Sequence, residues 1–304
     1  MDISIFSGWH EEHFGTERAF EMFSKAGFKA LDYTLDEWNK APKNSFYYGF
    51  SDSEMRSYYL GVKATADRFG LRIGQTHSVY GPFDATMSEE FFEAQKKNIY
   101  ATHLLGCKYT VIHPPIMPER KYDAFEKENF DICIKYYSRL KPYLKEYGVK
   151  IGLEPMWNED ANYGKICPTI FSRPEEILRC LDVMGDECFC VCLDFGHINI
   201  TGRDTSDTVW DAIEKFGDAL EIIHAHDTDG FRDNHTAPFF GGNLNWEKSA
   251  AALGRIGYKG TFNFEVCGGF FEKFPDGIAQ SALDFLCGCG KYYAGIADEN
   301  RKDK

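Results

Sequence analysis

Eight short apolar stretches, each followed by a helix-forming segment, set the tightest limit on how this 304-residue chain can fold. They are Ile3–Ser7, Phe28–Thr34, Leu71–His77, Tyr109–His113, Lys150–Glu154, Phe189–Asp194, Leu220–His226 and Gly260–Glu265. Helices are expected over Thr16–Ala26, Ser53–Phe69, Ser88–Leu105, Ala124–Tyr147, Arg173–Met184, Thr208–Phe216, Trp246–Ile256 and Asp276–Ala294. Gly27, Gly106, Gly148 and Gly257 follow four of them directly, as C-cap glycines do, and Thr16 and Ser172 have the side chains of N-caps. Strict alternation of strand and helix requires a parallel sheet with helices outside it. Count and length suit a closed (β/α)8 TIM barrel as one α/β domain over residues 1–304, with a charged tail fraying from about residue 296. The competing architecture is an open doubly wound sheet. Its nucleotide-binding forms carry a Gly-rich phosphate turn after an early strand, and this sequence has none there.

Charge narrows the function. A net charge of −13 argues against a phosphate-backbone ligand, which needs clustered Lys and Arg. The ten cysteines contain no Cys-x-x-Cys pair, and Cys188, Cys190 and Cys192 alternate along an apolar strand as small buried side chains. The N-terminus lacks the basic and apolar regions of a signal peptide, and no apolar run reaches the roughly 20 residues of a membrane span. These features predict a cytoplasmic protein with free thiols and no membrane partner.

The chemistry concentrates at strand ends. His77, His113, Glu154, Asp194, His224 with His226, and Glu265 end six consecutive strands. In a barrel those ends meet on one face, where catalytic groups sit. Asp227, Asp229, Asp233 and His235 follow in the loop after the seventh strand and add further ligand-type side chains. Glu154, Asp194, Glu265 and one strand-seven histidine would give three carboxylates and one imidazole. That set suits Mn²⁺, Mg²⁺ or Co²⁺ better than a thiolate-preferring zinc site. Each residue also has a plainer role open to it: a buried ion pair for Glu154 or Glu265, a cap on Phe195-Gly196 for Asp194, a packed loop position for His113. His10, His13 and His103 have no such context, and Cys267 reads as pocket lining. The irregular stretches Glu37–Phe50, Asn158–Phe171 and Asp227–Asn245 follow the second, fifth and seventh strands and are expected at the pocket wall.

Four motifs carry a resemblance: Gly152-Leu153-Glu154-Pro155, Leu193-Asp194-Phe195-Gly196-His197, His224-Ala225-His226-Asp227-Thr228-Asp229-Gly230 with Asp233 and His235, and Phe264-Glu265. In this order the chain resembles, over its whole length, the xylose isomerase-like TIM-barrel superfamily. That superfamily holds sugar phosphate isomerases and epimerases, ketose 3-epimerases, inosose dehydratases and endonuclease IV. The resemblance implies one divalent metal, Mn²⁺ first, with Mg²⁺, Co²⁺ or Zn²⁺ as alternatives, held by Glu154, Asp194, Glu265 and His224. His226 is the alternative, because both histidines stand three residues before an aspartate. His197 would contact substrate hydroxyls or a second metal, and His77, His113, His226, Asp233 and His235 would contact substrate. Trp9 and Trp157 would wall the pocket. His77, His113, Asp233 and His235 also match positions that complete the trinuclear zinc cluster of endonuclease IV.

The activity this implies is a metal-dependent sugar isomerase or epimerase. Glu154 and Glu265 would flank the substrate and move a proton next to a carbonyl, through an enediolate held by the cation. A keto-sugar or inosose dehydratase, or a 3-keto-glycoside lyase working with a small partner subunit, would share the first step. An endonuclease IV-like nuclease and a non-catalytic sugar-binding module are the readings of other classes. The expected partner is a small carbohydrate, not nucleic acid. A homo-oligomer is common among such barrels. Arg232 is the sole cation near the end of strand seven, which favours an unphosphorylated sugar or a glycoside.

Overall fold

The computed structural model describes residues 1–35, 42–117, 122–160 and 164–301. Its strands are β1 Ile3–Phe6, β2 Ala30–Thr34, β3 Arg72–His77, β4 Tyr109–Val111, β5 Lys150–Leu153, β6 Trp157–Asp160, β7 Lys165–Pro168, β8 Phe189–Asp194, β9 Leu220–His224 and β10 Phe262–Phe264. Eight of them form one parallel sheet in the order β10-β1-β2-β3-β4-β5-β8-β9. A parallel bridge between Ala225 and Phe264 closes the ring. There the Ala225 N–H donates to Asn263 O at 2.9 Å and the Glu265 N–H to Ala225 O at 3.1 Å. The barrel expected from the strand–helix alternation is therefore the observed fold.

Helices cover the outside and the core lies between the two layers. Helix Val209–Phe216 shows why: it buries Val209, Ala212, Ile213 and Phe216, the i, i+3, i+4, i+7 stripe of an amphipathic helix. Thr208 caps it by accepting from the Asp211 N–H. Helix Asp52–Arg68 begins with a capping box between Ser51 and Glu54. Inside the barrel the space is small. Val111, Cys192 and Ile222 pack together there, and Gly152 faces them. A Cβ at Gly152 would lie 2.7 Å from Ile222 Cδ1 and 2.9 Å from Cys192 Cβ. All ten cysteines are free, as expected for side chains packed in this way.

Several local expectations need correction. Helix Gly8–Phe14 follows β1, and Gly15, not Thr16, precedes helix Thr16–Ala26 as its N-cap. Arg173 holds the N-cap position expected for Ser172. The Ser172 hydroxyl instead donates to Met156 O at 2.5 Å and accepts from the Thr169 N–H at 2.7 Å. The stretch after β5 is not irregular throughout: β6 and β7 pair there as an antiparallel hairpin. Helix Phe195–Thr205 follows β8 directly. The last helix runs Ala279–Glu299, so residues 296–299 are helical rather than frayed. Residues 36–41 of the second-strand loop and 302–304 of the tail lie outside the described residues. Among the described residues no helix is long and apolar enough to cross a membrane.

The tight interior yields a prediction. Gly152→Ala should lower the melting temperature, at a cost of about 1–3 kcal/mol for overpacking. Ile222→Val, which removes the clashing Cδ1, should restore part of that loss in the double variant. Equal melting temperatures for Gly152→Ala and the wild type would contradict this account of the barrel centre.

Candidate metal centre

The strand ends deliver their side chains to one place. Asp194 and His224 are the last residues of β8 and β9, Glu154 and Glu265 each stand one residue past β5 and β10, and all four are buried. His224 Nδ1 lies 2.8 Å from Glu154 Oε1, 3.4 Å from Glu265 Oε2 and 4.0 Å from Asp194 Oδ2. Ligands about 2.1 Å from a divalent ion stand about 3 Å apart when adjacent and about 4 Å when opposite, so these separations fit one cation. His77, at the end of β3, and His113, two residues past β4, form an adjoining group with Glu154. His197, His226, Asp233 and His235 form a third. His226 Nε2, 3.1 Å from Asp194 Oδ1, links the third group to the first.

Local structure fixes these groups. Asp194 is both a candidate ligand and the N-cap of helix Phe195–Thr205, accepting from the His197 N–H at 2.7 Å. That cap turns His197 into the site, where its Nδ1–H donates to Pro155 O at 2.8 Å and its Nε2 faces Asp233 Oδ2 at 3.3 Å. Gly196 permits the packing, since a Cβ there would fall 2.0 Å from the His226 ring. His235 adopts a left-handed φ of 41°. Its ring Nδ1–H donates to Glu265 O at 3.0 Å and its backbone O accepts from the Cys267 N–H at 3.2 Å, which offsets that strain.

Asp227 and Asp229, grouped with the ligands on sequence grounds, hold the loop instead. The Asp227 carboxylate accepts from Trp246 Nε1 at 2.8 Å and from the Leu244 N–H at 3.1 Å. Asp229 accepts from the Phe231 and Arg232 N–H groups as a local turn. Trp9 is not part of the pocket wall; it stacks on His13 and Phe271. His10 is buried against Phe23 and Phe271, and burial pushes its imidazole down to about 3.

The buried charges pull the titrations apart. Burial raises Glu265 to about 8, whereas His224 and His113 outweigh burial at Glu154 and hold it well below the usual carboxylate range. Burial also opposes the charge on Asp194, yet His197 and His226 bring it to about 2. Burial lowers His77 to about 3, while at His197 the carboxylates of Asp194 and Asp233 overcome burial and raise it to about 10. The fit to a cation can be judged from what stays unpaired. His113 Nε2, Glu154 Oε2, Glu265 Oε2, His226 Nδ1 and Asp233 Oδ1 are buried without a hydrogen-bond partner. His113 Nε2 and Glu154 Oε2 are only 2.9 Å apart and still lack hydrogen-bond geometry. Lone pairs so placed, on an oxygen-rich donor set, suit a divalent ion.

A cavity of about 660 Å³ opens over these groups. His77, His113, Glu154, His197, Asp233, His235 and Glu265 line its floor. The hairpin supplies Trp157, Glu159 and Ile166, and Trp157 Nε1 donates to Asp233 Oδ2 at 3.2 Å. Tyr80, Ile116 and Phe231 add apolar wall, Cys267 lines it as expected, and Arg232 is the one Lys or Arg among the described lining residues.

Residues 20–289 match the family described as the xylose isomerase-like TIM barrel. The uncharacterized protein MJ1311 of Methanocaldococcus jannaschii is 25% identical over 253 residues, 81% of this chain and 79% of the relative. The uncharacterized protein y4fM of Sinorhizobium fredii is 25% identical over 288 residues, 85% of this chain and 82% of the relative. Among solved structures, a D-tagatose 3-epimerase-like protein superposes with a TM-score of 0.70 at 20% identity, covering 98% of this chain and 99% of its own. The 3-keto-D-glucoside 4-epimerase YcjR of E. coli superposes with a TM-score of 0.66 at 18% identity, covering 95% and 100%. At these identities the likeness is one of fold.

If the four groups hold a cation, Mn²⁺ should raise the melting temperature in a concentration-dependent way. At a thousandfold excess over Kd the gain is about 4 kcal/mol. Asp194→Ala should abolish the shift. A wild-type protein indifferent to Mn²⁺, Mg²⁺, Co²⁺ and Zn²⁺ would contradict the assignment.

Proposed function

The chain belongs to the xylose isomerase-like TIM-barrel family, and we propose that it is a divalent-metal-dependent sugar isomerase or epimerase. The observation that carries this reading is the pair Glu154 and Glu265. Both are buried, and both reach the same His224 nitrogen, at 2.8 and 3.4 Å, from strands on different sides of the barrel mouth. Two carboxyl groups with opposite tendencies to hold a proton are what a proton relay needs. A cation held by Glu154, Asp194, His224 and Glu265 would polarise a sugar carbonyl as a Lewis acid. Glu154 takes the proton from the carbon next to that carbonyl, and Glu265 returns one. Return to the opposite face of the same carbon gives an epimer; return to the neighbouring carbon gives an isomer. His77, His113, His197, Asp233 and His235 bind substrate hydroxyls and Trp157 packs on a sugar face, whereas His226, expected at the substrate, is fully buried behind His235 and Asp194 and does not line the cavity. The three-carboxylate, one-imidazole set favours Mn²⁺.

The substrate is an unphosphorylated sugar or glycoside on this reading. A phosphate needs an anion site, and among the described lining residues Arg232 is the one Lys or Arg. The cavity of about 660 Å³, with Tyr80, Ile116, Trp157, Ile166 and Phe231 around it, has room for a group attached to the sugar ring.

A second reading has an observation in its favour. The flanking groups His77-His113-Glu154 and His197-His226-Asp233-His235 could hold further metal ions, as in the endonuclease IV branch. The net charge of −13, and a single Lys or Arg among the described lining residues, weigh against a DNA substrate.

The reading is tested by solvent deuterium exchange into a panel of free ketoses and 3-keto-glycosides. Glu154→Gln and Glu265→Gln should each keep Mn²⁺ while exchange falls about 10²–10⁴-fold. Exchange at the wild-type rate in both variants would remove the proposed proton transfer. Three bound metal ions together with incision of abasic DNA would replace this reading by the nuclease. Loss of a hydroxyl from the product would make the enzyme a lyase.

A further inference from the structure

Asp32 lies in β2, in the barrel interior, with no exposure to solvent. Its Oδ2 accepts from Gln75 Nε2 at 2.9 Å and from Asn263 Nδ2 at 3.0 Å. The Ser4 hydroxyl braces Asn263 from the other side, donating to its Oδ1 at 2.8 Å. Side chains from β1, β3 and β10 thus hold one carboxylate whose position no loop controls. The same Oδ2 stands 3.2 Å from His224 Nε2, the ring nitrogen opposite the one that faces Glu154 and Glu265. Two buried atoms at this contact are unsatisfied: Asp32 Oδ1 and His224 Nε2 have no hydrogen-bond partner. On the flank of the ring, His77 stacks at 5.6 Å between centroids.

We propose that Asp32 is a positioning residue for the metal centre, fixing His224 from behind as the tautomer with hydrogen on Nε2 so that Nδ1 is presented to the cation. This rests on the reading that Glu154, Asp194, His224 and Glu265 bind a metal. A purely structural role does not account for the arrangement. Gln75 and Asn263 direct amide N–H groups at the carboxylate, but a neutral side chain could accept from both without burying a charge. The unsatisfied Oδ1 and Nε2 leave room for the ring to settle into a well-directed Nε2–H to carboxylate bond when Nδ1 takes a metal. Carboxylates placed behind metal-binding imidazoles act in this way, and their loss weakens metal binding about 10–100-fold.

The test compares Mn²⁺ affinity by equilibrium dialysis with the melting temperature of the metal-free protein, for wild type, Asp32→Asn and Gln75→Met. Asp32→Asn should weaken Mn²⁺ binding about 10–100-fold, and Gln75→Met, which loosens the carboxylate without removing it, by less. The imidazole ¹⁵N spectrum of the Zn²⁺-loaded wild type should show the His224 hydrogen on Nε2, and the Asp32→Asn spectrum a mixture of tautomers or a shifted Nε2 signal. Unchanged affinity and spectrum in Asp32→Asn, with only a lower melting temperature, would overturn the proposal. If Asp32→Asn does not fold, Gln75→Met carries the test, and wild-type affinity in that variant overturns it. A wild type that binds no metal would instead sink the reading beneath it.

Discussion

Four carboxylates crowded into the barrel govern the rest of the structure. Asp32 and Asp194 are fully buried, Glu154 is 1% exposed and Glu265 6%. Isolated charges at such depth would not survive unpaired. Imidazoles answer part of this demand. His224 sits among Glu154, Glu265 and Asp32, and although burial works against its charge, those carboxylates hold it well above the usual histidine range. His197 is likewise raised against burial by Asp194 and Asp233, and His235 by Asp233, which is itself held low by both imidazoles. The compensation is incomplete, as the unpaired oxygens of Glu154, Glu265 and Asp233 show. Surplus anionic donors and unmet lone pairs at such depth fit a bound cation.

The fold serves that demand directly. Parallel strands bring their C-terminal ends together, so Asp194 and His224, paired in register across β8 and β9, arrive side by side. The loops then lock the outer groups. Asp227, which binds nothing in the site, gathers the Thr228 and Leu244 N–H groups and the Trp246 indole. Gly242 leaves space for that carboxylate, since a Cβ there would meet it at 1.9 Å. Asp233 is held by Trp157 Nε1, His197 Nε2 and His235 Nε2, and His235 also by its Nδ1–H to Glu265 O. Hydrogen bonds to a buried acid thus order this loop together with the apolar packing of Ala237 and Phe240.

The barrel was legible because strand length, helix-stopping glycines and the polar residue at each strand end repeat at the same register. The floor of the site was legible for the same reason: His77, His113, Glu154, Asp194, His224 and Glu265 all stand within two residues of an observed strand end. What the sequence concealed has specific causes. Helix Phe195–Thr205 contains Gly196, Asn199, Thr201 and Gly202, weak helix formers, and forms on the Asp194 cap and its packing. The β6–β7 hairpin lacks a clear alternation of apolar and polar residues, so its role as pocket wall was visible only as an irregular stretch. Asp227 and Asp229 share the residue type of ligands, and only their hydrogen bonds tell them apart from Asp233. Asp32 left one trace, an acid inside the apolar run Phe28–Thr34, and its meaning depends on Gln75, Asn263 and His224, which are distant in sequence.

The most direct measurement is anomalous diffraction at the manganese edge from crystals grown with Mn²⁺. This account predicts a peak bonded at once to Glu154, Asp194, His224 and Glu265, at about 2.0–2.4 Å from each. A peak that leaves Glu154 or Glu265 uncoordinated, or density showing the four side chains joined only by water and hydrogen bonds, would contradict it.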